Sequence, residues 1–185
     1  MMTTDMKRQT LAILVDNESG VLSQISRLFS RKGYNIESLA VGATEHPETS
    51  RITIEVMADE GQTKLLANQL RKLFPVHSVK VLTPEASIRR ELVLYKVRTP
   101  DSTVRNEIIG IANIFRANII DVAVGSITLS VIGAESKTDA MEKLLREYEI
   151  LELVRTGVIA LERGQETIKD ETIEKGEFDY GKNVL

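Results

Sequence analysis

The residues best suited to chemistry in this chain lie in two short stretches, Asn17-Glu18-Ser19-Gly20-Val21-Leu22 and Asn35-Ile36. The first is a polar turn that runs into an amphipathic helix pattern. N–H groups at a helix start lack helical acceptors and sit at the positive end of the dipole. Those of Gly20, Val21 and Leu22 therefore suit a small carboxylate. Asn17 and Asn35 each offer a donor and an acceptor, which fits a ligand with an anionic and a cationic end. Val21, Ile36 and Leu39 can shape a small aliphatic pocket, and Gly20, without a Cβ, lets a ligand approach the backbone. An aliphatic α-amino acid meets all three conditions. Each residue also has an ordinary use: Asn17, Ser19 and Gly20 in a turn and cap, Asn35 at a strand end. Residue types alone leave both readings open.

Other chemistry finds little footing. His46 and His77 have no acidic or histidine partner at ligand spacing along the chain and read as surface or structural residues. No nucleophile elbow, phosphate-binding loop or dinucleotide fingerprint occurs. The absence of cysteine excludes disulfides, a thiolate nucleophile and cysteine metal sites. A net charge of −3 without a basic block argues against nucleic acid. No signal peptide or membrane-length apolar run is visible, so a cytoplasmic protein is expected.

These residues are positioned by a repeating order of elements. Lys7–Val15 reads as a strand and Gly20–Arg31 as a helix capped by Ser19, with Gly33 as its stop. Tyr34–Ala43 and Arg51–Met57 read as strands, the second with a wet face of Arg51, Thr53 and Glu55. A second helix carries Leu65, Leu66, Leu70, Leu73 and Phe74 on one stripe, and Val76–Leu82 closes the unit. Glu91–Val97, Ser102–Phe115, Asn118–Val124, Ile127–Val131, Lys137–Tyr148 and Ile150–Leu161 repeat the order. The expected fold is α+β, two consecutive ferredoxin-like βαββαβ units: 1–83 and 84–164, then a charged, mobile tail, 165–185. Leu11–Val15 is apolar on both faces, which predicts cover from a second copy and hence a dimer.

Asn17–Leu22, Gly33–Leu39 and Thr44–Ile54 match three motifs of one family: N-E-S/P-G-x-L, G-Y-N-I-x-S-L and T-x-x-P-x-x-S-R-I/M-T-I. Further matches lie at Ile114–Val122 and Arg155–Gly164. The chain from residue 8 to about 164 thus resembles the small, regulatory subunits of acetohydroxyacid synthase (acetolactate synthase). The resemblance implies an N-terminal ACT domain that pairs with a second copy and a non-catalytic chain that activates a large catalytic subunit. Thiamine diphosphate, Mg and FAD would sit on that partner, and none on this chain. It also implies feedback inhibition by valine, with leucine or isoleucine as alternatives. Valine would bind between two ACT domains, on Asn17, Ser19, Gly20, Val21 and Leu22 of one copy and Asn35 and Ile36 of the other. The other readings are a free-standing ACT-domain sensor acting on another enzyme, and a small enzyme whose acid–base pair the sequence does not supply.

Overall fold

The structure is a computed structural model and describes residues 6–171. Its first unit runs β1 (Lys7–Asp16), α1 (Val21–Lys32), β2 (Ser38–Ala43), β3 (Thr49–Ala58), α2 (Glu60–Leu70) and β4 (Val76–Leu82). The second runs β5 (Ser87–Arg98), α3 (Ser102–Ile114), β6 (Asn118–Val122), β7 (Ser126–Gly133), α4 (Glu135–Leu145) and β8 (Ile150–Arg155). A short β9 (Ile159–Glu162) and a 3-10 turn, Ile168–Glu171, follow. The strand orders are β2-β3-β1-β4 and β6-β7-β5-β8, every pairing antiparallel. This is the expected α+β architecture of two ferredoxin-like units.

Each sheet packs one face on its own two helices. Leu11, Ile13 and Val15 of β1 meet Ile25, Leu28 and Phe29 of α1 and Leu66 and Leu70 of α2. Val93, Tyr95 and Val97 of β5 likewise meet Ile108 and Ala112 of α3 and Met141 and Leu145 of α4. Helix ends follow the local chemistry. Asp59 and Gln62 form a capping box on α2, and the Asp101 carboxylate accepts from the Val104 N–H at 2.9 Å on α3. Gly33, at φ 74°, closes α1 in the left-handed conformation expected of it. No helix among the described residues is long and apolar enough to cross a membrane.

Several expectations change. The stripe on α2 is narrower than predicted: Leu66 and Leu70 are buried, but Phe74 is 84% exposed and lies beyond the helix end at Leu70. Leu65 and Leu66 lie about 100° apart on a helix, so only one can face the sheet, and Thr63 and Ala67 complete that face. The strand expected over Ile150–Leu161 breaks at Gly157, φ 79°. A Cβ there would come within 3.0 Å of the Leu39 carbonyl, so backbone approach as well as conformation calls for glycine.

The break carries β9 out of the second sheet. It pairs with the first residues of β5, Ser87 to Arg90, and this ribbon lies over the helix-free face of the first sheet. The face predicted to be wet is therefore dry: Thr53 is 3% and Glu55 1% exposed, while Arg51 donates to the Ala160 carbonyl at 2.8 Å. The second apolar face of β1, Ala12 and Leu14, is covered by Leu82, Ala160 and Ile168 of the same chain. Cover for that strand comes from within the chain and needs no second copy. Ile168 also ties down the start of the predicted tail, and the rest of that tail call, residues 172–185, lies outside the described residues.

Candidate functional site

The turn before α1 is fastened by its own backbone. The Asp16 N–H donates to the Pro75 carbonyl at 2.9 Å and the Asn17 N–H to the Glu48 carbonyl at 2.8 Å. The Asn17 side chain donates from Nδ2 to the Pro47 carbonyl at 2.8 Å, which commits one of its two N–H donors and leaves Oδ1 as an acceptor. Ser19 does not cap the helix. The cap position falls on Gly20, at φ 87° and ψ −14°, and no side chain bonds to the helix start. No acidic residue stands in the first turn, while Arg31 and Lys32 stand in the last. The negative, C-terminal end of the α1 dipole is thus compensated and the positive, N-terminal end is not. Its N–H groups remain available to an anion.

The side chains sort differently from the sequence reading. Val21 is 5% exposed and belongs to the core, so it offers only its N–H. Leu22, 41% exposed, is the apolar residue that faces outward at the turn. At the far end of α1, Asn35 donates from Nδ2 to Glu37 Oε1 at 2.7 Å, and Ile36 packs half-buried against the first core. Strand β2 begins only at Ser38, so Asn35 and Ile36 sit in the irregular stretch before it. Twelve helical residues span about 18 Å. The two groups of site residues therefore stand at opposite ends of one helix, too far apart for one copy to close them on a small amino acid.

Two charge networks join residues that no local pattern connects. Glu91, on β5, accepts from Arg155 Nη1 at 2.7 Å and from the Thr138 hydroxyl; Arg155 also bonds Asp139 at 2.8 Å and Glu142 at 2.6 Å. The Arg155 bond holds the Glu142 carboxyl below its ordinary range. The second network centres on Glu55, beneath the β5–β9 ribbon. Thr10 Oγ1 donates to it at 3.1 Å, Arg8 lies 3.8 Å and Arg89 3.7 Å away, and Oε2 has no hydrogen-bond partner. Arg8 bridges onward to Glu135 on α4 and so ties the two units together. His77 also meets a partner absent from its sequence neighbourhood, Asp16 Oδ1 at 2.6 Å. Among the described residues, no three histidine, aspartate or glutamate side chains are grouped to hold a metal.

Burial pushes the Glu55 carboxyl up, against the lowering effect of the Thr10 bond. The folded chain then holds this proton to a higher pH than the unfolded chain does. From this group the fold gains stability as pH falls from neutrality, and the gain is complete below the ordinary glutamate value. Glu55→Gln should remove that part of the slope. Urea unfolding at pH 7 and pH 5 measures it: acidification should favour the parent more than the variant.

Two sequence-family models match the chain. "AHAS small subunit-like ACT domain" matches residues 11–78, and "Small subunit of acetolactate synthase" matches residues 90–164. A probable acetolactate synthase small subunit from Archaeoglobus fulgidus is 44% identical over 157 residues, covering 85% of this chain and 98% of that protein. An acetolactate synthase small subunit from Haemophilus influenzae is 43% identical over 162 residues, covering 87% and 99%. The crystal structure of the acetolactate synthase small subunit from Thermotoga maritima superposes with a TM-score of 0.81 at 34% identity, covering 86% of this chain and 99% of that one.

Proposed function

Because this chain belongs to the family of acetolactate synthase small subunits, we propose that it is a non-catalytic regulatory subunit. It binds and activates a large catalytic subunit and confers inhibition by valine. The catalytic partner carries thiamine diphosphate, Mg and FAD and condenses pyruvate with pyruvate or 2-oxobutanoate in the cytoplasm. The observation that carries the valine reading is the uncapped, uncompensated start of α1 at Gly20, beside an outward-facing leucine.

Two copies are required because the site residues lie at opposite ends of α1. Strand β2 is an edge strand, with β3 on one side only, so a second ACT domain can pair along it. Two-fold pairing brings the α1 turn of one copy towards the Asn35 segment of its neighbour. The valine carboxylate then accepts from the N–H groups of Gly20, Val21 and Leu22. Its ammonium donates to Asn35 Oδ1, a group oriented by the bond from Nδ2 to Glu37. Leu22 and Ile36 meet the isopropyl group. Such a pocket separates valine from leucine or isoleucine by only about 1–3 kcal/mol.

Valine inhibits, in this reading, by favouring a packing of the two ACT domains that the large subunit binds less well. The coupling between such sites is typically about 1–3 kcal/mol, and it is reciprocal. Titration calorimetry of the chain with valine, leucine and isoleucine, and of Asn35→Ala with valine, tests the site. Saturable binding of valine that the substitution weakens is expected. Unchanged binding by Asn35→Ala removes this site, and the titration repeated on the complex with the large subunit should give a weaker valine affinity. A free-standing sensor draws support only from the ACT fold, and the family match continues through residues 90–164.

A further inference from the structure

Residues 35–39 join the candidate effector site to the junction of the two units. At one end, Asn35 donates from Nδ2 to Glu37 Oε1 at 2.7 Å. At the other, Ser38 Oγ accepts from the Val158 N–H at 2.9 Å, where the chain leaves β8, and Gly157 passes close to the Leu39 carbonyl. The Glu37 N–H donates to the Glu55 carbonyl at 2.9 Å, which pins the middle of the segment to β3.

A polar cleft of about 320 Å³ opens at this junction, lined by Arg8, Glu37 and Glu55 from the first unit and Glu91, Glu135 and Arg155 from the second. Charged walls meet there, and polar junctions of this kind let two units shift against each other. Arg8 spans the cleft: it bridges to Glu135 at the start of α4 and lies 3.8 Å from Glu55. Desolvation disfavours the Arg8 charge, and Glu135, Glu55 and Glu37 together outweigh that effect. The Glu37 carboxylate therefore serves two partners, the Asn35 amide and the Arg8 guanidinium. Further along α4, Asp139 and Glu142 hold Arg155, so a shift at Glu135 is felt at the end of β8 as well.

An effector ammonium on Asn35 Oδ1, in the valine reading on which this inference rests, adds a positive charge beside that carboxylate. It competes with Arg8 for Glu37, because an opposite charge close to a carboxylate in a partly buried site attracts it appreciably. Coupling needs an element with two arrangements that both ends bias, and the shared Glu37 carboxylate is such an element. We propose that residues 35–39 relay the state of the Asn35 site to the second unit, through Glu37 to the Arg8–Glu135 bridge and through Ser38 to the Val158 N–H. Glu37 and Ser38 are positioning residues in this relay and touch no effector themselves. Effector binding at the edge of the first unit then resets α4 of the second without any contact between the effector and that unit.

Residue-resolved hydrogen exchange in the full chain tests this. Asn35→Ala removes the amide from an exposed position, so the fold should stand. It should raise exchange at the Val158 amide and in residues 135–138 by at least ~3-fold. Asn17→Ala removes another exposed asparagine, before the opposite end of α1, and should leave both unchanged. Unchanged exchange in Asn35→Ala, or an equal rise in Asn17→Ala, would overturn the relay. With valine added, the parent should respond at the start of α1 and at residues 135–138 alike. Glu135→Gln, made on a half-exposed side chain, should keep the first response and lose most of the second; a full second response would also overturn the relay. If valine leaves the start of α1 unchanged, the valine reading fails, and the comparison of Asn35→Ala with Asn17→Ala decides the relay on its own.

Discussion

Gly20→Asp is expected to raise the valine concentration for half-inhibition by at least ~10-fold while activation of the large subunit is kept. The glycine stands at the cap of α1 with φ 87°, and a Cβ built there meets nothing within 4 Å. Left-handed backbone costs an L residue roughly 1–2 kcal/mol, with aspartate and asparagine the most tolerant. The turn is exposed and held by three hydrogen bonds, from Asp16, from Asn17 and from the Asn17 side chain, so the unit should still fold. What changes is charge. The new carboxylate would stand where the proposed site places the effector's carboxylate, and two like charges about 4 Å apart repel by roughly 1–4 kcal/mol between water and a partly screened surface. Gly20→Asn separates charge from backbone strain, being close in shape and neutral. If the asparagine variant loses the valine response to the same extent, strain is the cause. If Gly20→Asp also loses activation, the turn serves the large subunit and the valine site lies elsewhere.

The fold was legible because its elements follow local rules. Period-two alternation marks β3 and β5, period-3.6 stripes mark α1 and α3, and Asp59, Asp101 and Gly33 punctuate helices in the ways their side chains or backbone dictate. What escaped notice is set by contacts across more than a hundred residues. Thr53 and Glu55 alternate like a solvated face, and nothing near them in sequence announces that the ribbon bearing Ala160 will cover it. The signal that existed was Gly157. A glycine after Arg155-Thr156 breaks the final strand, and a broken final strand frees a short β9 to leave its sheet.

The candidate site divides along the same line. The polar turn and the helix that follows it were readable from an amphipathic stripe behind a glycine, but the uncapped start was not, because Ser19 reads as the cap and the structure puts Gly20 there. The roles of Val21 and Asn17 were not readable either. Val21 begins the buried stripe and Leu22 faces out, a difference of one residue in helix phase. Asn17 uses one N–H on Pro47, thirty residues away. Neither fact has a local signature, and together they narrow what the turn can offer a ligand to backbone donors, one amide N–H and oxygen, and one leucine.

Arg155→Met should destabilise the second unit by about 3–5 kcal/mol. Glu91 is 3% exposed at its side chain, and Arg155 is its cationic partner among the described residues. Removing one partner of a buried pair leaves the other as an uncompensated charge, and that penalty exceeds what the intact pair contributes. Methionine retains most of the side-chain stem, so lost packing adds little. Glu91→Gln in the same chain should recover more than half of the loss, because a neutral amide keeps the hydroxyl of Thr138 as a partner without a buried charge. The pH response supplies an independent check. Arg155 holds Glu142 below its ordinary range, so the parent has this stabilisation at neutral pH and loses it as pH falls through the depressed value. Arg155→Met should show a smaller acid-side loss, the remainder coming from Arg146, which also bonds Glu142 at 3.0 Å. Urea unfolding at pH 7 and at pH 3, below the ordinary glutamate range, measures both effects, and a cost under about 1 kcal/mol at pH 7 would mean that Thr138 and water suffice to hold Glu91. The position also matters beyond its own unit: two residues later Gly157 turns the chain towards the first sheet, so loosening the end of β8 loosens the ribbon that covers Glu55. Hydrogen exchange should therefore rise in β9 as well as in β8, and protection lost in β8 alone would show that the ribbon is held from the first unit's side.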